Sequence, residues 1–190
     1  MKIGIDLDEV LVDFLPALIR YHNATYSTSL SRDDFFTYHY WDVWGGTVEE
    51  AIKKVCDFHQ TPYFKELEPI SGTQEAIGRL KEGNELFIIT SRQESIADAT
   101  KDWVAKYFPG AFSDVFLTNQ YSLNGNKKTK KEYCELLGVE VLIEDQLKYA
   151  LECLSRERRV FLLDCPWNKA KELPEGIKRV YSWQEIIETI

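Results

Sequence analysis

The sequence predicts an α/β fold in which a doubly wound parallel sheet is flanked by helices. Short apolar runs recur along the chain with helical patterns between them, and alternating strands and helices of this length build a parallel sheet. Two aspartates, Asp6 and Asp8, directly follow the first apolar run. Residues 15–69 contain no strand-like run, which indicates a helical insertion after the first strand.

Five apolar runs have the composition of buried strands, which read as near-continuous hydrophobic segments when both faces are covered. The predicted strands span residues 2–7, 86–90, 115–118, 139–143 and 160–163. The tail, residues 180–190, predicts a short strand and then a terminal helix that begins at Ser182.

Helical patterns separate these runs, and glycines at 83 and 138 provide natural helix ends. The predicted helices of the core span residues 73–81, 95–107, 130–137 and 146–155, and those of the insertion span residues 15–26 and 48–58. We therefore predict a Rossmann-like core, residues 1–14 and 70–190, with a small helical cap, residues 15–69.

Composition and charge exclude several classes of protein. The 190 residues are 44% hydrophobic and 13% aromatic, which suffices for a packed core. A net charge of -8 argues against a nucleic-acid polymer or an anionic membrane surface as partner. No leader pattern or spanning apolar run is evident, and the four cysteines lack metal-ligand spacing. We expect a cytoplasmic protein with reduced thiols; its oligomeric state stays open, with a homodimer as one option.

Polar clusters follow the predicted strands, where ligands of such sheets bind. They are Asp6/Asp8, Thr90-Ser91-Arg92, the lysines at 127, 128, 130 and 131, and Glu144-Asp145. Each type has a task in phosphoryl transfer, because a carboxylate can attack phosphorus, a second acid can move the proton, and further carboxylates can bind Mg²⁺. The alternative for the first pair is that both aspartates merely cap the next helix.

These residues together resemble the motifs of the haloacid dehalogenase-like superfamily of phosphohydrolases. The resemblance covers nearly the whole chain, through residues 6–10, 88–90, the helix at 129–137 and residues 143–145. Residues 6–14 with Thr90-Ser91 further resemble the 5′(3′)-deoxyribonucleotidase group. The resemblance implies a Mg²⁺-dependent hydrolase that forms an aspartyl-phosphate and acts on a small phosphorylated substrate, foremost a nucleoside monophosphate.

The resemblance also implies roles by position. Asp6 matches the nucleophile and Asp8 the general acid/base. Mg²⁺ would be held by Asp6, the backbone carbonyl of Asp8 and Asp145, with Glu144 in support. Glu144 is a departure, since aspartate is more usual there. Glu9 is another, because nucleotidases often have glycine at this position, and we expect its side chain to narrow the site entrance.

Phosphate binding is expected from Thr90, assisted by Ser91, and from one lysine. Lys130 is preferred because the resemblance implies a helix-opening lysine at its position, eight residues before Gly138, and Lys128 is the second choice. At least two of the four lysines belong to a solvated basic face. Arg92 has two interpretations, a clasp on phosphate or sugar and an exposed ion pair, of which the ion pair is the more common fate.

The aromatic residues have two interpretations as well. Phe14, Trp41 and Trp44 are candidates to stack a nucleobase. Phe14 is preferred because the resemblance implies an aromatic residue next to the base at its position. Trp41 and Trp44, together with Tyr38 and Phe35, could equally form the core of the cap. Asp13 would face the same cavity or cap the helix that starts at residue 14. The three histidines show no ligand spacing, and we assign them structural or surface positions.

Two alternatives to a nucleotidase stay open at this stage. The same chemistry could serve another metabolite phosphate, such as a sugar phosphate. A signalling receiver domain is also doubly wound and phosphorylated on aspartate, but it would carry its acceptor on a middle strand and has no place for the helical insertion.

Overall fold

Residues 1–122 and 125–190 are described by this computed structural model. Six strands in these ranges form one fully parallel sheet. The strands are β1 (Lys2–Ile5), β2 (Glu85–Thr90), β3 (Asp114–Leu117), β4 (Val141–Glu144), β5 (Arg159–Leu163) and β6 (Ile177–Val180). Their order across the sheet is β3-β2-β1-β4-β5-β6. The prediction of a doubly wound parallel sheet is confirmed.

Nine α-helices lie in the described residues. They are α1 (Phe14–Tyr26), α2 (Tyr40–Trp44), α3 (Val48–Phe58), α4 (Pro62–Lys65), α5 (Thr73–Leu80), α6 (Ala97–Tyr107), α7 (Lys130–Leu137), α8 (Leu147–Cys153) and α9 (Trp183–Thr189). The predicted bounds of α3 and α7 match the structure at both ends. Among the described residues, no helix is long and apolar enough to cross a membrane.

Every predicted strand differs from the observed one by one to three residues at one or both ends, and the first and the last show the physical reason. The first strand ends at Ile5 rather than residue 7, because the carbonyl of Leu7 accepts hydrogen bonds from the N–H groups of Val10, Leu11 and Val12 and so closes a tight loop. The last strand begins at Ile177, three residues before the predicted start. Two adjacent charged residues separate the buried Ile177 and Val180, so the apolar run is broken in this edge strand.

Four helices, α1 to α4, occupy the segment between β1 and α5, and no strand lies within residues 15–69. The segment is packed through aromatic rings: Phe58 contacts Phe14 and Phe64 edge-on, with ring centroids 5.3 and 5.7 Å away. Phe35 and Phe58 belong to the same hydrophobic cluster as Ile5 of β1. The inserted segment therefore shares one hydrophobic core with the sheet.

The strand order creates a switch point between β1 and β4. The chain adds β2 and β3 on one side of β1, and then β4, β5 and β6 on the other. In open α/β sheets, ligands bind in the crevice beyond the carboxyl ends of the strands at such a point. A receiver-type sheet pairs its first strand with the second and third, so the receiver interpretation is wrong.

Candidate active site

Three buried carboxylates meet at the switch point. Asp6 follows β1, Glu144 ends β4 and Asp145 follows it, and one oxygen of each lies within 4.8 Å of the others. All three side chains are buried. Burial raises the pKa of Asp6 and of Asp145, and it raises the pKa of Glu144 to about 7 against the opposing attraction of Lys130. Such a cluster is costly unless cations compensate its charge.

Lys130 is the cation within this cluster. Its Nζ lies 2.7 Å from Asp6 Oδ1 and 2.7 Å from Glu144 Oε2. Burial disfavours the ammonium ion, yet the two carboxylates outweigh that cost and raise the pKa of Lys130. The residue opens α7, whose N-terminus is capped by Thr129. The other three lysines of the tract, 127, 128 and 131, are exposed.

Asp145 is fixed by a neighbouring loop and keeps one oxygen free among the described residues. Its Oδ2 accepts a hydrogen bond of 2.9 Å from Trp167 Nε1, and its backbone carbonyl accepts one from the side chain of Asn168. Its Oδ1 is buried and has no hydrogen-bond partner in the described part of the chain. An orphaned carboxylate oxygen in an all-oxygen donor set fits a hard divalent cation such as Mg²⁺.

Asp8 is partly exposed and forms an ion pair with the buried Arg92. The Asp8 charge adds to the raised pKa of Asp6, two residues before it. Arg92 Nη2 lies 2.7 Å from Asp8 Oδ1, and the Arg92 side chain is only 3% exposed. The expectation of an exposed ion pair is therefore wrong. The fold buries Arg92 between rings of the insertion, a contact that local sequence does not reveal.

The two hydroxyl residues follow β2 next to this pair. Thr90 ends the strand and is buried, and its Oγ1 accepts a hydrogen bond from the Arg92 backbone N–H at 3.3 Å. Ser91 lines a cavity that opens beside Asp8. The structure thus brings the predicted phosphate-binding hydroxyls to the edge of the sheet that carries the aspartates.

The cavity beside Asp8 has aromatic walls. It is lined by Asp8, Phe14, Tyr38, Tyr40, Val55, His59, Ser91, Arg92, Gln93 and Tyr121. Trp41 lines an adjoining cavity that shares Tyr38, Tyr40 and Tyr121. Burial raises the pKa of Tyr38 and Tyr40 well above the ordinary range, with the acidic cluster adding to the effect, so both phenols stay neutral.

Two of the three predicted aromatic residues lie at these cavities and one does not. Phe14 is at the cavity, and Trp41 is at the adjoining one. Trp44 is at neither: its ring stacks on His22 with centroids 4.6 Å apart, and it lines a separate depression with Tyr26. The structure does not bring Trp44 to the aspartates, because α2 turns that ring towards α1.

Glu9 is buried and contacts the inserted segment. Its backbone has a φ of 62°, and its buried carboxylate pairs with Arg32 of the insertion. Glu9 Oε1 also accepts a hydrogen bond of 2.6 Å from the Leu15 N–H. Glu9 therefore satisfies the start of α1, where Asp13 makes no side-chain cap.

Sequence reasoning missed several residues of the site. Tyr40, Tyr121, Gln93 and His59 line the cavity, although they share no spacing with the motif residues. Trp167 had one usable signal, since it follows β5 and so lies at the same edge of the sheet as the acidic cluster. His59 is buried, and burial beside Arg92 lowers its pKa to about 4, so the ring is neutral at pH 7.

The fold and this site define a phosphohydrolase of the haloacid dehalogenase-like superfamily. Within it, the chain belongs to the family described as 5′ nucleotidase, deoxy (pyrimidine), cytosolic type C protein, whose model matches residues 1–190. It is an enzyme that hydrolyses phosphoric monoesters.

Similar proteins agree with this assignment. A protein of Halalkalibacterium halodurans that bears a nucleotidase name is 26% identical over 188 residues, which cover 97% of this chain and 89% of that one. A haloacid dehalogenase-like hydrolase from Streptococcus pneumoniae has the same fold, with a TM-score of 0.72 at 13% identity over 99% and 97% of the two chains. A hydrolase of this superfamily from Bacillus subtilis, solved with magnesium bound, has a TM-score of 0.63 at 14% identity over 99% and 97%.

Proposed function

We propose that this protein is a Mg²⁺-dependent nucleotidase that hydrolyses (deoxy)nucleoside monophosphates through an acyl-phosphate on Asp6. The observation that carries the proposal is the buried cluster of Asp6, Glu144, Asp145 and Lys130 at the switch point, with Asp8 beside it. Carboxylates buried together at the edge of a parallel sheet are costly in stability, and a reaction explains their retention.

In the first half of the reaction, a carboxylate oxygen of Asp6 attacks phosphorus and forms an acyl-phosphate. The bond from phosphorus to the ester oxygen of the nucleoside breaks. Asp8 donates its proton to that oxygen, so the nucleoside leaves as a neutral alcohol. Lys130 and the hydroxyls of Thr90 and Ser91 bind the nonbridging oxygens and stabilise their charge.

In the second half, water attacks phosphorus of the acyl-phosphate. Asp8, now a carboxylate, takes the proton of that water as general base. The bond between phosphorus and the Asp6 oxygen breaks, which releases inorganic phosphate and restores both aspartates. Each group that gains or loses a proton therefore returns to its starting state.

Mg²⁺ would be held by Asp6, by Asp145 through its free Oδ1, by the Asp8 backbone carbonyl and by Glu144 in support. When bound, it would reduce the repulsion between the anionic nucleophile and the phosphate dianion. Lys130 alone faces two carboxylates at 2.7 Å, so a phosphate dianion needs a further positive charge.

The aromatic cavity supports a nucleoside as the leaving group. Phe14, Tyr38, Tyr40 and Tyr121 form its wall beside Asp8, and Trp41 continues the wall into the adjoining cavity. Aromatic rings bind bases of any sequence by stacking, which is worth about 1–3 kcal/mol per base. A sugar phosphate would gain less from such a wall.

Phosphate release from a panel of nucleoside monophosphates and sugar phosphates tests the proposal. We expect turnover of nucleotides with Mg²⁺, none with a chelator, and a lower kcat/KM for sugar phosphates. Asp6→Asn should abolish turnover while circular dichroism shows an intact fold. Activity that persists in the chelator or in Asp6→Asn would refute the mechanism, and a preference for sugar phosphates would refute the substrate.

A further inference from the structure

We propose that Arg92 is the positioning residue of Asp8: it holds the carboxyl group in the orientation from which a proton reaches the leaving oxygen. This inference rests on the general-acid role proposed above for Asp8. Arg92 does not touch the reacting atoms in the mechanism and acts through Asp8 alone.

The guanidinium group of Arg92 contacts both carboxylate oxygens of Asp8. Arg92 Nη2 donates to Asp8 Oδ1 at 2.7 Å, while Nε lies 3.0 Å from Oδ2 and 3.2 Å from Oδ1. A planar guanidinium that contacts both oxygens fixes the plane of the carboxyl group as well as its distance. A single hydrogen bond would leave the group free to rotate.

Arg92 itself is held from the side opposite Asp8. Its Nη1 donates to Thr100 Oγ1 of α6 at 3.2 Å. The guanidinium carbon lies 5.9 Å from the Phe14 ring centroid and 5.2 Å from that of Phe64, close enough for cation–π attraction to both rings. The Arg92 side chain is only 3% exposed. Asp8 is therefore contacted by a side chain that is itself held by a hydrogen bond and two rings before substrate binds.

The position of Arg92 in the chain links this support to the phosphate site. Arg92 lies two residues after Thr90, and its backbone N–H donates to the Thr90 hydroxyl. One short loop therefore carries both the hydroxyl proposed for phosphate and the side chain that orients the acid. Proton delivery to the bridging oxygen requires this relation, because the acid must be aligned with the bound phosphate.

The test uses substituted phenyl phosphates, which keep one shape while the leaving group changes from phenolate to 4-nitrophenolate. Loss of a well-aligned acid slows a poor leaving group far more than a good one. In Arg92→Met we expect kcat/KM for phenyl phosphate to fall about 100- to 1000-fold, which is within the range that general acid catalysis contributes. For 4-nitrophenyl phosphate we expect kcat/KM to fall less than about tenfold. Since kcat/KM reports on steps up to the first irreversible one, later hydrolysis of the acyl-phosphate does not disturb the comparison.

Arg92→Lys keeps the positive charge and loses the planar guanidinium, and it serves if the methionine variant does not fold. In Arg92→Lys we expect kcat/KM to depend on the leaving group more steeply than in the wild type and less steeply than in Arg92→Met. Arg158→Met is the matched control: Arg158 is also buried, but it donates to the backbone carbonyls of Val139 and Cys153. The Arg158→Met protein should be less stable than the wild type, and its kcat/KM should depend on the leaving group as in the wild type.

Three outcomes decide the matter. The inference is supported if kcat/KM depends on the leaving group more steeply than in the wild type in both Arg92 variants and in Asp8→Asn. The inference is overturned if the Arg92 variants keep the leaving-group dependence of the wild type while Asp8→Asn shows a steeper one. In that case the proposed role of Asp8 stands. A wild-type dependence in Asp8→Asn overturns the proposed role of Asp8 and the inference with it.

Discussion

Each carboxylate at or beside the switch point is contacted by a buried or half-buried side chain from another part of the sequence. Lys130 contacts Asp6 and Glu144, Arg92 contacts Asp8, Trp167 contacts Asp145, and Arg32 contacts Glu9. These partners differ in what they contribute. The three cations compensate charge, whereas the indole N–H of Trp167 fixes orientation and leaves the second oxygen of Asp145 available.

The free oxygen of Asp145 leads to a prediction about Trp167. Trp167→Phe keeps most of the ring volume but removes the hydrogen bond to Oδ2, so the carboxylate can rotate away from the metal position. We expect the dissociation constant for Mg²⁺, measured by calorimetry on the protein without substrate, to rise about tenfold or more. Trp103→Phe is the control, because Trp103 is also buried and donates to the backbone carbonyl of Leu67. An unchanged affinity in Trp167→Phe would contradict this account.

Single residues were predictable where local pattern and topology agree. Asp6 and Asp145 follow strands and Glu144 ends one. Lys130 was chosen because the family resemblance implies a helix-opening lysine at its distance from Gly138. Arg92 was misjudged because its partner Asp8 lies 84 residues away, and no local signal encodes burial between Phe14 and Phe64. The same reason explains why Trp44 was placed at the cavity although its ring faces His22.

Among the elements, α7 has the most direct effect on the site because it positions Lys130. Thr129 and Glu132 form a capping box at its start, and Gly138 ends it with a φ of 66°. Both signals are readable in the sequence, which is why its bounds were predicted correctly. β6 lacks comparable signals, since two adjacent charged residues separate its apolar ones on an edge strand.

Helix α7 also provides a prediction with a matched pair of variants. Thr129→Ala removes the cap of α7, and Thr47→Ala removes an equivalent capping box at the start of α3. Each should lower the free energy of unfolding by about 1 kcal/mol in a denaturant titration. Only Thr129→Ala should also lower kcat for phenyl phosphate, because only α7 carries Lys130. Equal kcat in the two variants would mean that the cap does not help to position the lysine.

Over the whole molecule, alternating strands and helices were sufficient to predict the parallel sheet and the edge at which the site lies. The strand order then follows the common doubly wound arrangement. The cavity was not predictable, since its wall combines Tyr38 and Tyr40 of the insertion with Tyr121 after β3. That combination depends on how the inserted helices pack over the sheet edge.

The covalent role of Asp6 is the central claim, and Asp8→Asn offers its most direct test. With 4-nitrophenyl phosphate, this variant should still complete the first half of the reaction, because the leaving group needs little protonation. Hydrolysis of the acyl-phosphate should stall without its general base. Acid quenching and peptide mass spectrometry should then find close to one phosphate per protein, on Asp6. Release of one equivalent of nitrophenolate with Asp6 unmodified would contradict the account.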